Sequence, residues 1–103
     1  MKNVMDLQKM MKAAKDMQER LQTEMAGMRV EGSSGGGMVR VVMDGHKNLL
    51  TVHIEPEVID RSEVEMLQDL IVAAANDASR KVDEALSQKM GGLAGGLKIP
   101  GLF

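Results

Sequence analysis

The sequence predicts an α+β fold in which two helices enclose a small antiparallel sheet, in the order α-β-β-β-α. Three observations carry that expectation. Apolar residues recur every three or four positions near both ends of the chain, the period shortens to two between Met28 and Glu55, and glycine-containing turns separate the alternating runs. With 103 residues, the chain has the length of one small two-layer domain, its helices lying on one face of the sheet.

In the first helix, Val4, Leu7, Met11, Ala14, Leu21 and Met25 are separated by three, four or the sum of the two, which puts them on one face. Such a stripe is expected to be core, and Gly27 is the expected stop. A helix of about 25 residues is roughly 37 Å long, more than so small a domain can cover, so part of it should project or meet another chain.

Three short strands are expected next. Met28 and Val30 alternate with Arg29 and Glu31; Val39, Val41 and Met43 with Arg40, Val42 and Asp44; Leu50, Val52 and Ile54 with Thr51, His53 and Glu55. The run "GSSGGG", Gly32 to Gly37, reads as a flexible hairpin connection, and "DGHKN", Asp44 to Asn48, as a second hairpin in which Asp-Gly and Asn take left-handed angles. Pro56 lacks a backbone donor and closes the third strand.

The second helix is announced by "DRSEVEML". Ser62 with Glu65 forms a capping box, and Asp60 with Glu63 offers the same device in a second register. Val64, Leu67, Ile71, Ala74, Ala78, Val82 and Ala85 then mark one face, and Met90 and Gly91 mark the end. This divides the chain into a folded unit, residues 1–90, and a glycine-rich, apolar-tipped tail, residues 91–103, expected to be mobile.

Composition removes several function classes. The absence of cysteine excludes disulfides, thiolate zinc sites and a thiol nucleophile, and fits a reducing cytoplasm. Charges interrupt the first 18 residues every few positions, so neither a signal peptide nor a membrane span is expected and the protein reads as soluble and cytosolic. Eleven methionines and a single aromatic residue, Phe103, suggest helix or subunit packing that adjusts to its partner rather than a rigid ligand cage.

The glycine run raises the question of a phosphate loop. A Walker loop needs Lys and Ser or Thr directly after its last glycine and a helix opening there, whereas Gly37 is followed by Met38, Val39 and Arg40 at the start of a strand. The dinucleotide fingerprint fails for the same reason. Contact between phosphate and the loop amides stays open as the lesser alternative to a plain turn. His46 and His53 lack a local metal-ligand pattern, no serine sits in a nucleophile elbow, and Glu55, Glu57, Glu63 and Glu65 are accounted for by the start of the second helix. No catalytic residue, metal or cofactor is therefore assigned.

Charge is polarised along the chain despite a formal net of −2. Residues 1–15 carry Lys2, Lys9, Lys12 and Lys15 against Asp6 alone, whereas residues 54–84 hold nine acids against Arg61, Arg80 and Lys81.

Three stretches are similar to a known family: "VEGSSGGGMVRVVMDGHKNLLTVHIEPEVID" (residues 30–60), "VEMLQDLIVAAANDASRKVDE" (residues 64–84) and "MGGLAGGLKIPGLF" (residues 90–103). They closely resemble the YbaB/EbfC family of bacterial nucleoid-associated proteins, and with the lysine- and methionine-rich first helix the resemblance covers essentially the whole chain. It implies an α-β3-α homodimer shaped like tweezers, located in the cytoplasm on the nucleoid, that binds duplex DNA with little or variable sequence preference.

Taken with that resemblance, charge placement nominates the DNA surface. At about 100° per residue, Lys2, Lys9, Lys12 and Arg20 lie opposite the apolar stripe of the first helix, with Lys15 at its margin. Asp16 and Glu19 share that face, so an ordinary solvated surface is its plain alternative. Arg80, Lys81 and Lys89 near the end of the second helix are candidates too, with compensation of the helix dipole as theirs. Lysine suits phosphate contact more than base reading, and the lack of aromatics argues against stacking on single strands. The rival reading is a protein-interaction module for replication, repair or recombination factors, supported by Met5 lying off the apolar stripe among lysines.

Overall fold

Helix α1 runs from Lys2 to Gly27, strand β1 from Val30 to Ser34, β2 from Val39 to Met43, β3 from Leu49 to Ile54, and helix α2 from Val64 to Leu93. The computed structural model describes the backbone of residues 2–93 and the side chains of residues 4–91. The strands form one antiparallel sheet in the order β1-β2-β3. Element order and topology are those expected from the sequence.

The core lies between β2 and α2. Val39, Val41 and Met43 face Ala74, Ala78 and Val82, and Val30, Ile54, Leu67, Leu70, Ile71 and Leu86 pack around them. In register, Gly32 opposes Val41 on β2, so it too faces α2. A Cβ added at Gly32 would lie 2.6 Å from Cβ of Ala78 and collide with the Ala74 carbonyl and the Ala78 amide. Glycine on the strand and alanines on the helix let the two backbones approach closely.

That contact corrects the reading of "GSSGGG". Gly32, Ser33 and Ser34 belong to β1, and the connection is Gly35–Met38, a tight turn whose three glycines have φ of 60°, 68° and 92°. Their weak strand propensity is overridden by α2: Ser34 Oγ donates to the Leu70 carbonyl at 2.5 Å, and the Ser33 amide donates to Asp77 Oδ2 at 3.0 Å.

The second hairpin also works differently from the expectation. Lys47, at φ 65°, is its left-handed residue. Asp44 is buried and accepts from the amides of His46 (2.9 Å) and Asn48 (3.0 Å) and from Asn48 Nδ2 (3.1 Å). Gly45 serves a tertiary contact: its amide donates to the Met25 carbonyl at 2.8 Å, and an added Cβ would lie 2.7 Å from that oxygen. Glycine is needed here so that the hairpin can dock on the last turn of α1.

Two helix boundaries are corrected as well. Asp60, not Ser62, is the cap: Oδ1 accepts from the Ser62 amide at 3.0 Å and from its hydroxyl at 2.9 Å, and a 3-10 turn, Arg61–Glu63, leads into α2. The helix continues through Gly91 and Gly92 to Leu93, past the expected boundary between residues 90 and 91. The rest of the expected tail, residues 94–103, lies outside the described residues.

The largest departure concerns α1. The apolar stripe expected to be core is exposed over most of its length, with Val4 at 60%, Leu7 at 58% and Met11 at 65%. Only Leu21 and Met25, in the last two turns, are half-buried. The sheet is covered by α2, which packs across β1 and β2, while α1 projects. The molecule is accordingly 74 Å long, with a radius of gyration of 19.8 Å against roughly 13 Å for a compact chain of this length.

Three carboxylates in the folded body are held below the ordinary aspartate range by hydrogen bonds: Asp44 by the Asn48 amide, Asp60 by the Ser62 amide, and Asp77 by the Ser33 amide and then Lys81. Each binds its proton more weakly folded than unfolded. The stability they confer is complete above the unfolded-chain value near 3.8 and is lost as pH falls through the lower folded values. The urea midpoint is therefore expected to fall as pH drops below about 4, and Asp77→Asn is expected to flatten that fall. An unchanged pH dependence in the variant would refute the role of the Asp77 carboxylate.

Candidate nucleic-acid interface

The candidate cations separate into two groups. Lys9, Lys12 and Lys15 stand exposed on the projecting part of α1, and Arg20 follows two turns before its end. Among the described residues, none of these four makes an ion pair, whereas Arg40, Lys47, Arg80, Lys81 and Lys89 all do. Arg61 is also unpaired, and the Arg29 guanidinium is engaged by the carbonyls of Ala26 and Met28 at 3.0 and 2.8 Å. The side chain of Lys2 lies outside the described residues.

On α2, Asp77 accounts for two candidates. Arg80 lies 3.4 Å from Oδ1 and Lys81 3.0 Å from Oδ2, and the second oxygen also accepts the Ser33 amide. The dipole explanation fails for Arg80 and Lys81, because α2 extends to Leu93 and leaves them more than three turns from its end. They compensate a carboxylate that ties β1 to the helix.

Lys89 is paired across the fold with Glu24 of α1, Nζ to Oε2 at 3.6 Å. The two helices leave a groove there of about 290 Å³, lined by Met17, Arg20, Leu21, Glu24 and Lys89. Arg20 and Lys89, 69 positions apart in sequence, thus share one groove, while Lys9, Lys12 and Lys15 stand on the arm beyond it. Sequence reasoning missed Glu24 and Asp77 as electrostatic partners. The spacing of Asp77 to Arg80 and Lys81, i to i+3 and i+4, was a legible signal; the pairing of Glu24 with Lys89 had none, since it depends on how α1 meets α2.

The other sequence candidates fall into place around these. His46 and His53 are exposed, His53 Nε2 lying 3.2 Å from Glu55 Oε1. Gly35–Gly37 leads into β2, so no helix opens from that turn. Among the described residues, no helix is long and apolar enough to cross a membrane.

Comparison with known proteins gives this geometry a context. The nucleoid-associated protein of Pelotomaculum thermopropionicum is 48% identical over 101 residues, covering 95% of this chain and 96% of the relative. That of Syntrophobacter fumaroxidans is 53% identical over 91 residues, covering 88% and 83%. In fold, the chain matches the crystal structure of the uncharacterized protein HP0035 from Helicobacter pylori with a TM-score of 0.71 at 23% identity, covering 84% of this chain and 91% of that one. The helix-sheet-helix architecture, the cationic arm and a family model matching residues 1–97 agree: the chain belongs to the YbaB/EbfC DNA-binding family, a family of DNA-binding proteins and not of enzymes.

Proposed function

We propose that the protein acts as a homodimer on the nucleoid, in the cytoplasm, gripping duplex DNA through backbone phosphates with little regard to sequence and so influencing nucleoid organisation, gene expression or DNA repair. The observation that carries this reading is the group of four cations on α1, Lys9, Lys12, Lys15 and Arg20, that no carboxylate among the described residues neutralises. Mobile lysines on a projecting helix make point-charge contacts with phosphate, whereas reading bases requires side chains held at a groove edge. Relatives named nucleoid-associated support the location. Two uncovered apolar surfaces support the dimer: the α1 stripe, and Leu49, Leu50 and Val52 on the open edge strand β3.

Two chains carry eight such cations, of which about four to six are expected to engage, giving a slope of log affinity against log salt between about −3.6 and −5.4. Titration of several unrelated duplexes across salt tests this. A slope near zero, or strong preference for one duplex, would overturn phosphate binding, and a folded monomer throughout the micromolar range in sedimentation equilibrium would overturn the dimer.

The exposed part of the same stripe, Val4, Leu7 and Met11, together with exposed Met5, favours a second reading, in which they dock a replication, repair or recombination factor and DNA affinity is incidental. A pull-down in high salt separates the two, because apolar contacts survive ionic strength that dissolves phosphate contacts.

A further inference from the structure

Lys89 and Arg20 line the same groove, but of the two only Lys89 is neutralised by a carboxylate among the described residues. Its partner Glu24 lies one turn after Arg20 on α1, so this carboxylate lines the groove together with both cations. A carboxylate beside a lysine occupies the position a DNA phosphate would take.

We propose that Glu24 is a built-in competitor for DNA: it holds Lys89 in place of a phosphate and makes the α1–α2 groove a latent second contact that limits the affinity set by the α1 arm. This rests on the phosphate-binding reading above and deepens it by assigning a regulating residue to the same surface. Three features fit the role. The Glu24 and Lys89 side chains are 49% and 44% exposed, so the pair is reachable by DNA and weak enough to exchange. The rest of the groove lining, Met17 and Leu21, carries no other counter-charge. Lys89 is on α2 and Glu24 on α1, so a phosphate displacing Glu24 would join Arg20 of one helix to Lys89 of the other.

The test is a set of variants of the full chain titrated with one duplex across salt. Glu24→Gln is expected to raise affinity about 60-fold at about 0.1 M salt, or about 8-fold if the freed Lys89 engages in one chain only. Its salt slope should steepen by about 1.8, one added phosphate contact per chain. Glu19→Gln removes the same charge from the same helix without freeing a cation, and its gain should be smaller with an unaltered slope. Lys89→Gln combined with Glu24→Gln should abolish the gain, because the cation that Glu24→Gln frees is then missing. Circular dichroism and sedimentation report that each variant keeps its fold and assembly. Equal gains from Glu24→Gln and Glu19→Gln, or a gain that survives in the double variant, would overturn the competitor role while leaving phosphate binding intact. Wild-type protein with no salt-dependent affinity would overturn the reading beneath it.

Discussion

Replacing Gly32 by alanine is expected to cost about 3 kcal/mol or more, the upper part of the usual range for overpacking, and to lower Tm by roughly 12–24 °C. The added methyl group would meet the Ala74 carbonyl and the Ala78 amide, which are helix backbone and have no rotamer by which to withdraw. The strain can be relieved only by lifting α2 from β1, and that movement would open the contacts among Val41, Ala74, Ala78 and Val82 and strain the Ser34 to Leu70 hydrogen bond. A domain of this size is stable by only about 5–15 kcal/mol, so a serious part of the fold's margin rests on one missing side chain. Thermal unfolding followed by circular dichroism checks it. A shift of only a few degrees would mean that helix and sheet are less closely seated than the structure has them. Gly36→Ala is the useful contrast, because nothing lies within 4 Å of its added Cβ and only its left-handed φ is penalised.

Changing Lys9 and Lys12 together to glutamate is expected to have the largest effect on binding. If the two lysines engage in only one chain of the dimer, losing two contacts costs about 60-fold at about 0.1 M salt; if both chains engage, losing four costs about 4,000-fold. The salt slope should flatten by about 1.8 to 3.6 in step, and all duplexes should weaken alike. Folding should be unaffected, because both side chains are exposed and neither makes an ion pair among the described residues. Unchanged affinity and slope would move the DNA surface to Arg80, Lys81 and Lys89, and selective loss on one sequence would mean that the arm reads bases.

The regions where sequence reasoning succeeded and failed have different physics. Val39, Val41 and Met43 alternate strictly and are buried on one face, and Ala74, Ala78 and Val82 lie on the predicted stripe of α2, because each set is satisfied by a partner within the protomer. The same periodicity in α1 gave a correct helix with the wrong burial. Spacing reports which side chains share a face, and says nothing of whether anything covers it. Gly32, Ser33 and Ser34 read as a turn because local propensity favours one, and α2 makes them a strand. Of the two caps offered, Ser62 and Asp60, the structure uses Asp60, a choice between oxygens only two residues apart that the sequence signal could not make. The candidate cations were legible one by one as charges, but their ion pairs were not.

The sequence by itself determined the order of helices and strands, the inward faces of β2 and α2, and the concentration of cations on the first helix, because these follow from periodicity, turn chemistry and charge along a local stretch of chain. Only the tertiary structure decided that α1 stands out from the body with its apolar stripe uncovered, that Gly32 and Gly45 are sites of close backbone approach, and that Lys89 is neutralised by Glu24 while Lys9, Lys12, Lys15 and Arg20 have no such partner among the described residues. Each of these depends on which distant surfaces meet, and contact between residues far apart in the chain leaves no mark on the periodicity of either segment.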